Sequence, residues 1–175
     1  MAKRPLRKDA EARRLAILAA AETVFAEKGL DVPLEEICAA AGVGRATLYR
    51  NFENRIELVK AIMSNNLDKL DVIVAGPASP DQTIVNYLSE VLDQLVRTGG
   101  LVYLIQNDSR YSERFLRQLD LMLTPLAETT FRSDLDANAI AILVNMMSGG
   151  LGQKSFAERR QAAPLILDLA LRALR

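Results

Sequence analysis

The stretch at residues 34–52, LEEICAAAGVGRATLYRNF, constrains the fold of this chain more than any other, because it predicts two short helices joined by a tight turn. In its first half, apolar residues recur at spacings of three and four, which places them on one helix face: Leu34, Ile37, Cys38 and Ala41. Gly42 follows at once and suits a helix C-terminus, because a residue without Cβ enters the left-handed conformation easily. Val43 can then turn inward and close the corner.

The second predicted helix starts at Gly44 or Arg45 and has two unlike faces. Leu48 and Phe52 lie four residues apart and face inward. The outward face carries two arginines, a threonine and a tyrosine: Arg45, Thr47, Tyr49 and Arg50. No acid occurs between Ala39 and Phe52, so this face presents donors that match phosphates and base edges. The pattern predicts a helix-turn-helix, although an ordinary helical hairpin with surface arginines would also produce it.

The residues AAGVGRATLYRNFENRIELV resemble the signature of the TetR (tetracycline-repressor) family of bacterial transcription regulators. The upstream residues ILAAAETVFAEKG resemble the family's first helix, so the resemblance covers about residues 10–62. It implies an all-helical homodimer with an N-terminal DNA-binding domain and a larger C-terminal domain that usually holds a small-molecule effector. It also implies that Tyr49 and Arg55 contact phosphates. Independently, Arg45 and Arg50 are the candidates for base edges, Arg45 the stronger because the N-terminus of a recognition helix reaches deepest, and Thr47 and Tyr49 are candidate positioning contacts.

Three residues depart from the family pattern. Pro33 stands where the family usually has a threonine, and proline offers no hydroxyl to a phosphate. Gly44 replaces a serine or threonine and weakens the helix cap by a few tenths of a kcal/mol. Glu35 occupies a place from which some members reach a base; it can accept from a cytosine amino group or face solvent, and we expect it to face solvent.

The N-terminus forms a basic arm: residues 1–14 contain six basic residues and two acids, so their net charge is +4. Because the whole chain is neutral, the remaining residues sum to −4. Such an arm can follow the DNA backbone or enter an adjacent minor groove, which makes Lys3, Arg4 and Arg7 candidate DNA contacts. A solubilising disordered tail explains the same charges equally well.

Hydrophobic spacing predicts an all-α chain in three parts. These are a DNA-binding domain at 1–54, a connecting helix at 55–75 and a helical bundle at 76–175, with the break at the Gly/Pro-rich residues 76–81. The predicted helices are 9–28, 34–41, 45–52, 55–74, 81–98, 101–108, 111–130, 136–148 and 156–174. We expect a kink or a new helix at Pro164, because proline interrupts helical hydrogen bonding.

Two segments of the predicted bundle, residues 139–147 and 165–174, are apolar around most of their circumference. A surface helix of a small monomer cannot bury such a circumference, so we expect a second copy of the chain to cover it by two-fold symmetry. The candidate dimer-interface residues are Ile142, Asn145, Met146, Leu165, Leu169 and Arg172.

The same bundle contains aromatic, amide and thioether side chains within apolar helices, a mixture typical of ligand clefts. The candidate effector-pocket residues are Tyr87, Tyr103, Gln106, Asn107, Tyr111, Phe115, Met122 and Met146. Ordinary core packing explains each of them as well, and the sequence does not identify an effector.

Composition argues against several other classes. The chain has no histidine, no P-loop and no Gly-rich dinucleotide turn, so we predict neither an enzyme nor a cofactor or metal site. Its one cysteine, Cys38, cannot form an internal disulfide, which fits a protein of the reducing cytoplasm. We expect the Cys38 side chain to be buried in the apolar core. No apolar run is long enough to span a membrane.

The favoured function is a cytoplasmic, ligand-responsive repressor that binds a palindromic double-stranded operator as a homodimer. The alternative is a helical effector-binding or partner-docking protein without DNA recognition.

Overall fold

The structure, a computed structural model, describes residues 4–98, 109–152 and 154–175, with the backbone alone at 4–8, 109 and 110. In these ranges it contains eight α-helices and no strand, which confirms the all-α prediction. The helices are α1 Arg4–Lys28, α2 Leu34–Ala41, α3 Arg45–Asn51, α4 Arg55–Val74, α5 Pro80–Thr98, α6 Ser109–Leu123, α7 Ala137–Leu151 and α8 Phe156–Ala173. The helix predicted at 101–108 lies outside the described residues.

Proline shapes two helices differently from the prediction. The helix expected at 111–130 ends at Leu123, because Pro125 lacks an N–H and disfavours a helical residue before it; a single 3₁₀ turn, Leu126–Glu128, follows. No new helix starts at Pro164, since α8 continues through it from Phe156 to Ala173, and the alternative of a kink stays a prediction. Proline has no N–H, so the Arg160 carbonyl lacks its helical hydrogen bond, but both residues are exposed and water can bond to this carbonyl. Apolar residues of α8 on either side of Pro164 pack against the core and keep the helix in place.

The chain divides into two compact units, residues 1–63 and 64–175, and the division falls within α4. The three-part division expected from the sequence remains a prediction. In the first unit, α1 packs against α2, and α2 packs against α3. Its most buried apolar residues come from all four helices and include Ile17, Phe25, Ile37, Leu48, Leu58 and Ile62, and Cys38 is buried as predicted.

The second unit is a helical bundle around one apolar core. Helix α5 lies against α6, α7 and α8, and α7 also packs on α6 and α8. The core includes Leu70, Ile84, Leu88, Leu119 and Ile140, each no more than 1% exposed. Helices α7 and α8 begin at hydrogen-bonded caps: Asp136 accepts from the Ala139 amide at the start of α7, and Ser155 and Glu158 form a capping box at the start of α8.

Candidate nucleic-acid interface

A glycine corner joins α2 to α3, as the sequence predicted. Gly42 has φ 65° and ψ 31°, a left-handed conformation in which any Cβ would be strained. Its N–H donates to the Ala39 carbonyl (3.2 Å), and the Val43 N–H donates to the Cys38 carbonyl (3.0 Å). This pair of bonds is a Schellman motif, which ends α2 sharply at Ala41. Only three residues then separate α2 from the start of α3 at Arg45.

Helix α3 has the two faces that its sequence indicated. Leu48 is 1% exposed and Phe52 is buried, so this side packs into the first unit. The exposed residues of the helix include Arg45 at its start, Tyr49 and Arg50, whereas Thr47 is half-buried. Gly44 precedes the helix in an extended conformation without a side-chain cap. The arrangement therefore presents the predicted contact face to solvent.

The side chains on this face are already engaged within the protein. Arg50 donates to the Ala46 carbonyl (Nε to O, 3.1 Å) and to Thr47 Oγ1 (3.3 Å), so it folds back along α3. Arg45 Nη1 lies 3.0 Å from Glu35 Oε1. Glu35 is exposed, as expected, and its carboxylate at the start of α2 also lies within ion-pair distance of the first residue of α3.

Arg55 has a tethering contact that the sequence did not predict. Its Nη2 donates to the Val32 carbonyl at 2.7 Å, and its guanidinium lies 5.9 Å from the centre of the Phe25 ring. The buried Nη1 has no hydrogen-bond partner among the described residues. Arg55 thus ties the start of α4 to the connection between α1 and α2, and its phosphate contact stays a prediction.

The basic N-terminal segment is partly helical, because α1 already begins at Arg4. Lys3 lies outside the described residues, as do the side chains of Arg4 and Arg7. Farther along α1, Arg14 lies over the Phe52 ring at 4.6 Å from its centre. The sequence analysis missed this contact, because a cation next to an aromatic ring 38 positions later leaves no local signal.

The candidate effector residues that the structure describes are mostly brought together. Tyr111 stacks on Phe115 with ring centres 6.4 Å apart. The Tyr87 ring also contacts Phe115, in a tilted arrangement with ring centres 6.4 Å apart. Met122 belongs to the same buried core. Met146 does not join them, since it is 69% exposed on α7; its placement in this group was wrong. Tyr103, Gln106 and Asn107 lie outside the described residues.

A buried hydrogen-bond network borders these aromatic rings. The fully buried Tyr87 hydroxyl donates to Gln118 Oε1 at 3.4 Å, and Gln118 Nε2 donates to the Leu67 carbonyl (2.9 Å) and to Asp71 Oδ1 (2.5 Å). Arg114 bridges Asp71 and Asp68 at the exposed edge. Burial raises the pKa of Tyr111 to about 12 and also raises the pKa of Tyr87, so both phenols remain neutral donors at ordinary pH.

Replacing Arg114 with alanine should make the protein more sensitive to acid. Burial alone would raise the pKa of Asp71, but hydrogen bonds from Arg114 and Gln118 outweigh it and hold that pKa below the usual 3.8. A carboxyl with a lowered pKa stabilises the fold above its unfolded pKa, and the contribution is lost as the pH falls through the folded value. Arg114→Ala should therefore move the acid loss of stability to higher pH, measured by urea unfolding between about pH 3 and about pH 7. The control is Arg117→Ala, an exposed arginine on the same helix; equal shifts in both variants would contradict the prediction.

An open groove lies between α5 and α8, apart from the aromatic cluster. It is a groove of about 340 Å³, with an apolar floor that includes Leu92, Val96 and Leu167 and polar groups from Asp93 and Arg160. The described candidate effector residues are absent from its lining. The groove therefore adds a second place at which the bundle offers mixed apolar and polar contact.

The candidate dimer residues form an exposed face on α7 and α8. Ile142, Met146, Leu165 and Leu169 are each 58–69% exposed, and Asn145 is exposed among them. They lie away from the side of α7 that buries Ile140. Arg172 Nε lies 2.9 Å from Asp168 Oδ2 on the same face of α8. The four apolar side chains are thus available for contact outside the monomer.

A short helix, a Schellman corner and a second helix with an outward arginine-bearing face define a helix-turn-helix protein of the DNA-binding class. Residues 17–62, which contain this motif, match the family described as bacterial regulatory proteins, tetR family. These residues are therefore a DNA-binding domain of the tetR-family type, and the chain is a DNA-binding transcription regulator.

Sequence relatives extend the similarity beyond the motif. An HTH-type transcriptional regulator of Staphylococcus aureus is 28% identical over 148 residues, covering 76% of this chain and 77% of the relative. The HTH-type transcriptional repressor KstR2 of Rhodococcus jostii is 26% identical over 146 residues, covering 71% of this chain and 70% of the relative.

Solved structures resemble both units. A TetR transcriptional regulator of Streptomyces coelicolor has a TM-score of 0.73 at 28% identity, covering 93% of this chain and 98% of that one. A TetR transcription regulatory protein of Mycobacterium vanbaalenii has a TM-score of 0.66 at 27% identity, covering 84% of this chain and 99% of that one.

The described residues contain neither a candidate membrane span nor a candidate metal site. No helix there is both long and apolar enough to cross a bilayer. Within the same ranges, no cluster of three or more histidine, cysteine, aspartate or glutamate side chains is placed to hold a metal ion.

Proposed function

We propose that this regulator binds a palindromic operator as a homodimer, with one α3 in the major groove of each half-site, and that it represses transcription from the cytoplasm until a small molecule releases it. The main support for this proposal is the exposed surface of α3. Arg45 is the first residue of this helix, and the buried Leu48 packs the helix into the first unit. Residues at the N-terminal end of a recognition helix contact base edges.

Arg45 and Arg50 are the proposed base-reading residues, and Thr47 and Tyr49 are proposed to position the helix on the backbone. Guanidinium groups match the O6 and N7 acceptors of guanine, while hydroxyl groups suit phosphate oxygens. Tyr49 is 45% exposed, so its ring is half covered and can still reach outward. Arg55 and the basic residues Lys3, Arg4 and Arg7 are proposed to add phosphate contacts.

Dimerisation is supported by the exposed apolar face of α7 and α8. Isolated large apolar side chains are normal on a protein surface, but four on two packed helices form a patch that an equivalent patch can cover. Two-fold symmetry would then place two α3 helices on half-sites about one helical turn, about 34 Å, apart or somewhat more.

Response to a small molecule is supported by the mixed chemistry inside the second unit. The rings of Tyr87 and Tyr111 both contact the Phe115 ring, and the Tyr87 hydroxyl donates to the Gln118 amide oxygen. Such a combination of polar and apolar groups orients ligands in otherwise apolar sites. Ligand release of DNA requires that the ligand bind the DNA-free state more tightly than the DNA-bound state.

Selection of DNA bound by the full chain from random genomic fragments tests the proposal. Enrichment of sites with two-fold symmetry would support the dimeric repressor, and repeating the selection with candidate metabolites would identify any that release it. Absence of enriched sites, together with affinity that does not fall as salt rises, would favour an effector-binding or partner-docking protein instead.

Replacing Arg45 with alanine should weaken operator binding and relax the preference at one base pair by about 1–3 kcal/mol. The loss of a bidentate contact to a base edge is the physical reason. Titrations of single-base operator variants would locate the affected position, with Arg117→Ala as a control that removes the same charge from the second unit. Unchanged selectivity in Arg45→Ala would remove this residue from the interface.

A further inference from the structure

We propose that Glu35 is a specificity-determining residue that acts through Arg45. Its carboxylate lies beside the guanidinium and weakens the attraction of Arg45 for phosphate, so that operator DNA is favoured over other DNA. The inference rests on the proposed base contact of Arg45. Glu35 is itself a positioning residue in this scheme, since no contact between its carboxylate and DNA is required.

The first step is geometric. Glu35 is the second residue of α2 and Arg45 is the first residue of α3, and their Oε1 and Nη1 atoms are 3.0 Å apart. This is ion-pair distance, so the carboxylate partly offsets the positive charge of the guanidinium. The pair spans the glycine corner, so it links the two helices of the motif at the end where α3 would enter a groove.

The second step concerns how easily the pair can change partner. The side chains of Arg45 and Glu35 are 65% and 50% exposed, so water already solvates both groups. Exposed pairs of this kind are weak, and the guanidinium can turn to another acceptor at little cost. Guanine O6 and N7 can compete for it with bidentate geometry, whereas a phosphate gains less from an arginine whose charge is partly neutralised.

The third step concerns the effect of a carboxylate on non-specific binding. Affinity for arbitrary DNA comes from cations that meet phosphates, so each unopposed arginine on the contact face raises it. Helices α2 and α3 contain two acids, Glu35 and Glu36, and two arginines, Arg45 and Arg50. Since Arg50 also folds back onto Ala46 and Thr47, neither arginine reaches out as a free charge in this state.

Glu36 provides a matched comparison within the same turn. It carries the same charge one position later, but it pairs with Lys28 at the end of α1 rather than with α3. An effect of net charge alone would be the same for both glutamates. An effect exerted through Arg45 would appear only at Glu35.

The test compares Glu35→Gln with Glu36→Gln in the full-length protein. Each variant is titrated with the selected operator and with a scrambled duplex of the same length. We expect Glu35→Gln to lower the ratio of operator affinity to scrambled-duplex affinity by about 3-fold to 5-fold, and Glu36→Gln to change it by less than about 2-fold. The relaxed preference in Glu35→Gln should fall at the same base pair that Arg45→Ala relaxes.

A double-mutant cycle separates this inference from the role proposed for Arg45. In the Arg45→Ala background, Glu35→Gln should have no further effect on the affinity ratio. If Arg45→Ala relaxes one base pair but Glu35→Gln acts equally without Arg45, or resembles Glu36→Gln, the role of Glu35 is overturned and that of Arg45 stands. If Arg45→Ala leaves selectivity unchanged, both roles are overturned. Both glutamates lie on the surface, and thermal unfolding of each variant checks that the fold is retained.

Discussion

Replacing Leu169 with aspartate should convert the regulator to a monomer and lower its operator affinity by more than about 100-fold, because a dimer gains most of its affinity from engaging two half-sites at once. Leu169 is 58% exposed in the monomer, on the face where Ile142, Met146 and Leu165 also stand. In a symmetric interface each substitution occurs twice, and an unpaired carboxylate buried among apolar groups is strongly unfavourable. Light scattering after gel filtration and operator titration would measure the two effects.

Leu121→Asp is the matched control for the dimer prediction. Leu121 is also 58% exposed, but it lies on α6 rather than on α7 or α8. The same substitution there should leave both the oligomeric state and operator affinity unchanged. A Leu169→Asp protein that remains dimeric, or a Leu121→Asp protein that becomes monomeric, would move the interface away from the α7 and α8 face.

Replacing Leu48 with alanine should destabilise the first unit by about 2–5 kcal/mol, the range for truncating a buried leucine. Leu48 is 1% exposed and lies on the inward side of α3, whereas Arg45 and Arg50 are exposed. Its loss would leave a cavity beneath a helix of seven residues, which is too short to hold its conformation without packing. Operator affinity should fall while the dimer persists. The substitution is expected to act through α3 and not through α7 or α8.

Leu48→Met provides the control, because it nearly conserves volume and should lose less than about 1.5 kcal/mol. The two units can unfold separately, so a single unfolding transition is not assumed. Hydrogen exchange at the amides of α3 and α7 would report on each unit by itself. Loss of protection in α7 as large as that in α3 would show that Leu48→Ala does not act locally.

The sequence by itself determined the helix-turn-helix and the faces of its second helix. The corner at Gly42 depends on one residue that adopts positive φ, and a glycine directly after an apolar periodic run is a local signal of it. The separation of Arg50 from Leu48 follows from 3.6 residues per turn, while Arg45 is exposed at the first position of the helix. Helix α4 also has the predicted ends, Arg55 and Val74. These features arise within a few residues of chain, where periodicity and backbone preference decide the outcome.

Tertiary structure alone decided which partners the charged side chains have. Glu35 meets Arg45, Arg55 meets the Val32 carbonyl, and Arg114 meets Asp71, across separations of 10, 23 and 43 positions. Packing also carried α8 through Pro164 and turned Met146 outward, away from the aromatic core. These outcomes depend on how whole helices are placed and rotated against one another. A local pattern in the chain does not specify that placement, because many pairs of charges and many apolar faces are equally compatible with the same helical periodicity.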